Sequence, residues 1–148
     1  MIGALLLLFG ACRKDPAVAP EQTETAFPPN PSSVVKGLYL LNEGNMNMNK
    51  ASLDYVDLRT GTYRRNIYGQ SNPEVTKGLG DVGNDIGVYG SKLYVVVNLS
   101  NKLEILDVKT SKKIKQIDIT NGRYVTFSKG KAYVSAYLGK VGDPNAPK

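Results

Sequence analysis

KLYVVVNLSNKLEILDVKTSKKIKQI, residues Lys92–Ile117, reads as three β-strands in succession. Its first part, Leu93–Val97, is a near-continuous run of β-branched and aromatic residues, as is typical of strands. Leu103–Val108 is mostly apolar with interspersed charges, and Ile114–Ile119 alternates more openly. Between them, NLSN and KTSKK supply the short polar side chains that turns prefer. The segment therefore predicts three strands separated by two short connections.

The same pattern occurs on both sides of this segment. Before it, GLYLLNEG at Gly37–Gly44 leads to SLDYVDLRTGTYRRNI at Ser52–Ile67, and after it KAYVSAY at Lys131–Tyr137 opens a third copy. Asp57 in the first copy matches Asp107 in the second, and each ends a strand just before a tight turn. A carboxylate at that position accepts backbone N–H groups, so we expect turn caps rather than catalytic residues.

Four strands fit each repeat. In the second unit they are predicted at Asp85–Tyr89, Leu93–Val97, Lys102–Val108 and Ile114–Ile119. In a β-propeller, each blade is one sheet of four antiparallel strands, and the blades recur about every 40 to 50 residues. The repeats of this chain show that pattern. We therefore predict an all-β fold, a β-propeller with four-stranded antiparallel blades at roughly 34–68, 84–119 and 123–148.

The propeller is expected to be incomplete, with about two and a half blades present, because closure takes at least about four blades. The first unit also lacks a convincing innermost strand before Gly37. Whatever the number of blades, Val95 and Leu106 are expected to be buried within their sheet.

Residues 1–11 are predicted to be a lipoprotein signal peptide. Ile2–Ala11 is an apolar run that is too short to span a bilayer, and small residues directly precede Cys12. The ending Phe-Gly-Ala-Cys resembles a bacterial lipoprotein signal, which implies cleavage before Cys12 and lipidation of that residue. A buried apolar strand is the alternative, but it would leave a lone free thiol in an exported protein. Lipidation predicts a cell-envelope location, as an outer-membrane lipoprotein on the surface or the periplasmic face.

Residues 12–33 are expected to be a linker that follows the lipidated Cys12. This stretch holds five of the eight prolines, with Glu, Thr, Ser and few large apolar residues. Such a composition buries too little surface to offset the entropy of ordering, and prolines favour an extended chain. The linker would hold the folded domain, residues 34–148, away from a membrane.

The repeats also carry a family resemblance. YVVVN at Tyr94–Asn98 is similar to the motif of the YVTN-type propeller repeat of YncE-like proteins, and YLLN at Tyr39–Asn42 keeps its spacing. YVSA at Tyr133–Ala136 loses the asparagine. With its lipoprotein start, the chain resembles the N-terminal part of YncE-type lipoproteins of Bacteroidota over roughly Gly37–Tyr137. The resemblance implies a propeller and leaves the function open, because propellers host enzymes, binders and scaffolds.

The long connections all fall at one end of the predicted sheets. The tight turns YGSK, SKGK, LRTGT and VKTSK belong to one end, whereas Asn42–Lys50, Gly69–Asp85 and Leu138–Lys148 belong to the other. Insertions concentrated on one face of a repeat array usually mark its binding face, although drift or interdomain packing would also produce them. The ligand-binding candidates on this face are Asn42, Glu43, Asn45, Asn84, Asp85, Asn98, Asn101, Arg123 and Tyr124.

Three further motifs lie in the same connections. GLGDVG at Gly78–Gly83 has the spelling of a dinucleotide fingerprint, but a predicted strand follows it where phosphate binding needs a helix. Asp81, with Asn84 and Asp85, offers oxygen ligands for calcium without the spacing of an EF-hand. Met46 and Met48 form a flexible tip that would either cover an apolar ligand or stay disordered.

Catalysis finds little support in the composition. The chain contains no His, which removes an imidazole base, a Ser-His-Asp triad and a His-rich zinc or copper site. We therefore nominate no catalytic residue, no metal ligand and no cofactor. The net charge of +6 is scattered, without a basic cluster interleaved with aromatics, so a solvated surface is expected and no nucleic-acid partner.

Two function classes remain. The first is a lipid-anchored, non-catalytic propeller that binds a small molecule, glycan or protein on its long-loop face. The resemblance extends this class to capture of a corrinoid for an outer-membrane transporter. The second is a quinoprotein-like or lactonase-like enzyme whose catalytic residues lie in further blades.

Overall fold

The computed structural model describes residues 23–139 of the chain. These residues contain ten strands and one short helix. The strands are β1 (Thr23–Thr25), β2 (Gly37–Asn42), β3 (Ser52–Asp57), β4 (Thr62–Arg64), β5 (Gly83–Tyr89), β6 (Lys92–Val97), β7 (Lys102–Asp107), β8 (Lys113–Asp118), β9 (Gly122–Ser128) and β10 (Lys131–Ala136). The helix, α1, spans Ile67–Ser71. The all-β prediction is confirmed. The expected signal peptide, Cys12 and the last residues of the third unit lie outside the described residues.

Within that range the strands form two four-stranded sheets and a hairpin, all antiparallel. The first sheet has the order β1-β4-β3-β2, the second β5-β6-β7-β8, and β9 pairs with β10. The four strands of the second sheet begin and end within two residues of their predicted bounds. Local alternation and turn residues were therefore sufficient to locate them.

Two equivalent turns carry the predicted aspartate caps. Asp57 Oδ1 accepts the backbone N–H groups of Arg59 and Thr60, at 2.9 and 3.1 Å, between β3 and β4. Asp107 Oδ1 does the same for Lys109 and Thr110, at 3.0 and 2.9 Å, between β7 and β8. The caps satisfy turn donors that the ladders leave unpaired, so the structure confirms their structural role.

Strand β6 lies at the centre of the core and is buried on both faces. Val95 belongs to the same buried cluster as Leu53 of the first sheet and Tyr68 of α1, whereas Val96 on the other face belongs to a cluster against which Phe127 of the hairpin packs. Val95 and Leu106 are fully buried, as predicted. Burying one such side chain stabilises the fold by about 1.5–3 kcal/mol.

The connection between the two sheets differs from its prediction. The sequence predicts a long loop over Gly69–Asp85, but α1 begins at Ile67 and places Ile67 and Tyr68 in the core between the sheets. Leu79 is buried in the same cluster. The helix was missed because five residues are too few to show a 3.6-residue period. The start of this connection and the buried Leu79 therefore pack into the core, although residues 73, 74, 76 and 77 are exposed.

The N-terminal stretch also departs from its prediction. Thr23–Thr25, expected within the linker, forms β1 and pairs with β4 at the edge of the first sheet. The amide nitrogens of Ala26 and Phe27 then donate to the Gly61 carbonyl, at 2.8 and 3.3 Å. An otherwise free edge supplies the backbone partners that the composition of the segment does not predict. Among the described residues, no strand pairs with the other edge of that sheet, β2, as expected from the missing innermost strand.

Candidate functional site

Five connections meet at one end of the sheets and form what we call the loop rim: residues 43–51, 77–82, 98–101, 119–121 and 137–139. Adjacent connections are hydrogen-bonded to each other: Ala51 N donates to Gly80 O at 3.0 Å, and Asn98 N donates to Val82 O at 2.8 Å. Asn121 N donates to Asn101 Oδ1 at 2.9 Å. The connections therefore share one end, as the alternation of tight and long connections predicts.

Several candidate side chains link the second sheet to the hairpin. Asn84 Nδ2 donates to the Arg123 carbonyl at 2.5 Å, and Asn98 Nδ2 donates to the Gly122 carbonyl at 2.8 Å. Asp85 Oδ2 accepts the Val125 N–H at 2.8 Å. Each bond gives a hydrogen-bond partner to a backbone group at the start of β9. The pairing of β9 with β10 does not supply that partner. The structure therefore brings these residues together, but their polar atoms hold two sheets in register.

Asn42, Glu43 and Asn45 lie on the side of this cluster that faces the first sheet. Asn42 Nδ2 donates to Asp54 Oδ2 at 2.7 Å within the first sheet. The Glu43 carbonyl accepts the Gly83 N–H at 3.0 Å, which places Glu43 beside the start of β5. The side chains of Glu43 and Asn45 are exposed. Their role in ligand binding stays a prediction.

Beside the loop rim, Arg123 and Tyr124 at the start of β9 lie near Tyr137, an exposed tyrosine of the rim. The Arg123 guanidinium lies 5.8 Å from the ring centroid of Tyr124 and 5.7 Å from that of Tyr137. The two tyrosines are 60% and 54% exposed. A guanidinium held by aromatic rings keeps donors for a ligand while the rings offer flat apolar surface. Tyr137 was not among the sequence candidates, because parity alone does not show that β10 returns beside Arg123.

A cleft of about 600 Å³ opens at the opposite end, between the first and second sheets. Its walls include Tyr39 and Tyr55 of the first sheet, whose ring centroids are 4.9 Å apart, and Val108 of the second. Burial raises the pKa of both tyrosines, and the nearby positive charge of Arg64 partly opposes that rise. The sequence analysis missed the cleft because it placed ligand binding at the end with long connections. The alternation that directs both tyrosines to the buried face of β2 and β3 was the available signal.

A buried ionic cluster lies between α1 and the second sheet. The Glu104 side chain is fully buried, and its Oε1 accepts from Lys102 Nζ at 2.7 Å and from Lys113 Nζ at 3.2 Å. Burial, followed by the charge of Glu104, raises the pKa of the Tyr68 hydroxyl. Within residues 23–139 neither that hydroxyl nor Glu104 Oε2 has a hydrogen-bond partner of good geometry. Glu104 is enclosed by the core, whereas the side chain of Lys113 is 26% exposed.

Three further observations concern possible ligands and membranes. Gly78–Gly83 leads directly into β5, so the glycines are not followed by the helix that a dinucleotide site requires. Across residues 23–139, His, Cys, Asp and Glu form no group of three or more that would hold a metal ion. No helix in the same range is long and apolar enough to cross a membrane.

Comparison with known proteins identifies a family. The family model described as Domain of unknown function (DUF5074) matches residues 36–140. The matched region begins just before β2 and includes both the loop rim and the cleft, whereas β1 precedes it. No curated protein matches the chain.

Proposed function

We propose that this chain, which belongs to the DUF5074 family of domains of unknown function, is part of a β-propeller whose loop rim binds a ligand without transforming it. The internal repetition supports the propeller. Strands β2-β3-β4 and β6-β7-β8 follow the same order, and the Asp57 and Asp107 caps occupy equivalent turns. The similarity of these repeats to the YVTN type agrees with that arrangement.

The packing of strand β5 supports the same proposal. Strand β5 contacts β2 on one side and β9 on the other, as expected of strands around a common axis. Leu38 and Leu40 on the first sheet, and Tyr133 on the hairpin, expose large apolar surface. Neighbouring blades would cover these faces. An experimental structure of the proposed propeller should show at least four such sheets around an axis, and an open sheet would contradict the propeller.

The Arg123 group carries the binding part of the proposal. It combines a cation and two exposed aromatic rings beside the end where the connections converge. Sugars and flat small molecules present polar edges and apolar faces, which an arginine and exposed tyrosines can contact together. We propose a saccharide or a flat small molecule as the ligand.

A glycan array probed with the full chain tests this function. We expect a selective set of hits, and Arg123→Ala should weaken the best of them at least fivefold, since a hydrogen bond from a charged guanidinium contributes about 1.5–3 kcal/mol. The matched control is Lys131→Ala, which removes an exposed cation on the neighbouring strand, away from the rim. An array without hits, or equal losses for both variants, would argue against a saccharide site at this rim.

The anchoring part of the proposal rests on the sequence around Cys12. Mass spectrometry of membrane-extracted protein should find an acylated N-terminal cysteine. Cys12→Ala should move the protein from the membrane fraction to the soluble fraction. Equal retention of both proteins in the membrane fraction would refute lipid anchoring at Cys12.

A further inference from the structure

The tight turns of both sheets and of the hairpin meet at the end opposite the loop rim. Together with the segment that leads into β2 they form what we call the turn face: residues 34–36, 57–61, 89–92, 107–112 and 129–131. The Tyr39 hydroxyl donates to the Val108 carbonyl, and Val108 N donates to Ser91 O at 2.9 Å. Gly130 N donates to the Tyr89 hydroxyl at 2.9 Å. These bonds run from the first sheet to the second and on to the hairpin, so the turns belong to one continuous surface.

The turn face gathers cations that are scattered along the sequence. Its exposed cations are Lys36, Arg59, Lys92, Lys109, Lys112, Lys129 and Lys131. Among the described residues, none of these seven forms an ion pair. The carboxylates of the turn face are Asp57 and Asp107, and each accepts N–H groups of its own turn. Glu74 is exposed nearby, two residues after Asn72, whose side chain donates to the Ser111 carbonyl. Even with Glu74 included, cations exceed carboxylates by more than two to one at this end.

Two exposed valines lie beside these cations, directly before Lys36. Val34 is 94% exposed and Val35 is 54% exposed. The segment that carries them is held by hydrogen bonds: Ser33 Oγ donates to Val35 O at 2.6 Å, and Arg59 Nε donates to Ser33 O at 3.3 Å. The valines are therefore fixed beside the β3–β4 turn without being buried by it. Apolar side chains next to lysines are typical of surfaces that contact a lipid bilayer.

We propose that the turn face contacts a bilayer that contains anionic phospholipid. The cations lie against the phosphate layer, and Val34 enters the boundary between headgroups and acyl chains. Six of the seven cations are lysines, whose ammonium groups bind phosphate as point charges and need no fixed ligand geometry.

A soluble polyanion matches the turn face less well than a bilayer does. Nucleic-acid surfaces usually add aromatic rings on which bases stack, but the one ring of the turn face, Tyr89, is already stacked on Phe127 with centroids 5.1 Å apart. A soluble polyanion also offers no hydrocarbon to Val34. The proposal rests neither on the loop-rim function nor on lipidation of Cys12, because the turn face is part of the folded domain and lies opposite the rim.

Vesicle sedimentation with the full chain carrying Cys12→Ala tests the proposal, because that chain cannot be lipidated at residue 12. One set of vesicles is phosphatidylcholine alone, and in the other set one third of the lipid is phosphatidylglycerol. At about 0.1 M salt we expect at least about tenfold tighter binding to the anionic vesicles, and at about 1 M salt loss of most of that preference. Lys109→Gln combined with Lys112→Gln should weaken binding to the anionic vesicles at least tenfold, since each lysine near an anionic surface contributes about 1 kcal/mol.

Matched variants separate the turn face from net charge and a bilayer from a soluble polyanion. Lys50→Gln combined with Lys77→Gln removes two exposed lysines from the loop rim and should bind the anionic vesicles as the Cys12→Ala chain does. Val34→Ser should weaken vesicle binding severalfold and leave binding to dextran sulfate, a soluble polyanion, unchanged. All five substituted side chains are exposed, so each variant is expected to fold, and circular dichroism checks this.

Three results would overturn the proposal. The first is equal binding to the two kinds of vesicle, and the second is an equal loss in the two double-lysine variants. The third is dextran sulfate binding at least as tight as vesicle binding, with no effect of Val34→Ser on the vesicles, which would assign the turn face to a soluble polyanion.

Discussion

Replacing Asn72 with alanine tests whether the segment that joins the two sheets belongs to the core. Asn72 Nδ2 donates to the carbonyls of Tyr68 and Ser111, at 2.8 and 3.0 Å. Its Oδ1 accepts the Lys113 N–H at 2.7 Å. The side chain is only 2% exposed, so water cannot take its place in the folded state. One amide therefore connects the end of α1 to the start of β8.

The expected cost follows from the groups that lose their partners. The Tyr68 carbonyl keeps a second bond, from Asn72 N at 3.1 Å, whereas Ser111 O and Lys113 N lose the bonds that Asn72 supplies. A buried backbone group without a partner costs about 1–3 kcal/mol. Two such groups, one of them near the surface, give a loss of about 3 kcal/mol from a total free energy of unfolding of about 5–15 kcal/mol.

Urea unfolding of the full chain, followed by circular dichroism, measures this loss. With a slope of about 2 kcal/mol per molar, the midpoint of Asn72→Ala should fall by about 1.5 M. Asn45→Ala, at an exposed rim position, is the control and should leave the midpoint unchanged. Asn72→Asp keeps the acceptor for Lys113 but turns a carboxylate toward two carbonyls, so it should be at least as unstable as alanine at neutral pH. A midpoint for Asn72→Ala within error of the Asn45→Ala control would refute the assignment of α1 to the core.

Three further substitutions probe the packing, the buried hydroxyl and the turn cap. Gly87→Ala would bring its Cβ to 2.6 Å from Phe127, so we expect a loss of about 1–3 kcal/mol in thermal unfolding; no loss would contradict this contact between β5 and the hairpin. Tyr68→Phe removes a hydroxyl without a good partner and should cost little at neutral pH. Because the pKa of Tyr68 is raised in the folded state, its hydroxyl contributes to the free energy of unfolding below about pH 10, and this contribution is lost as the pH rises further. Tyr68→Phe should therefore lose less stability in alkaline solution than the chain with Tyr68 does. Parallel curves of stability against pH for the two proteins would contradict this. The side chain and N–H of Thr110, and then the Lys109 N–H, lower the pKa of Asp107, so its contribution is present above about pH 4 and is lost as pH falls through the lowered pKa. Asp107→Ala should therefore be less stable at neutral pH and converge with the original chain in acid, whereas a constant difference across the pH range would contradict the cap.

The position of the candidate residues at one end of the sheets was predictable from the sequence, but their hydrogen-bond partners were not. The alternation of tight and long connections along the sequence was sufficient to predict that Asn84, Asp85 and Asn98 lie at one end of the sheets. Their bonds to the backbone of β9 could not be predicted, because an amide in a connection is equally suited to a ligand or to a neighbouring main-chain group. The cleft at the other end depends on the spacing of two sheets, and no single repeat contains that information.

What the sequence by itself determined is local. Alternation over Leu93–Val97, the capping aspartates and the turn residues specified the strands and tight turns of the second sheet, because those features depend on neighbours along the chain. The tertiary structure decided where the poorly patterned segments lie. Thr23–Thr25 became a strand because β4 had an open edge, and Ile67–Ser71 became a helix packed between two sheets. Those outcomes depend on which surfaces are left to bury and which backbone groups are left to pair, and both are defined only after the sheets have assembled.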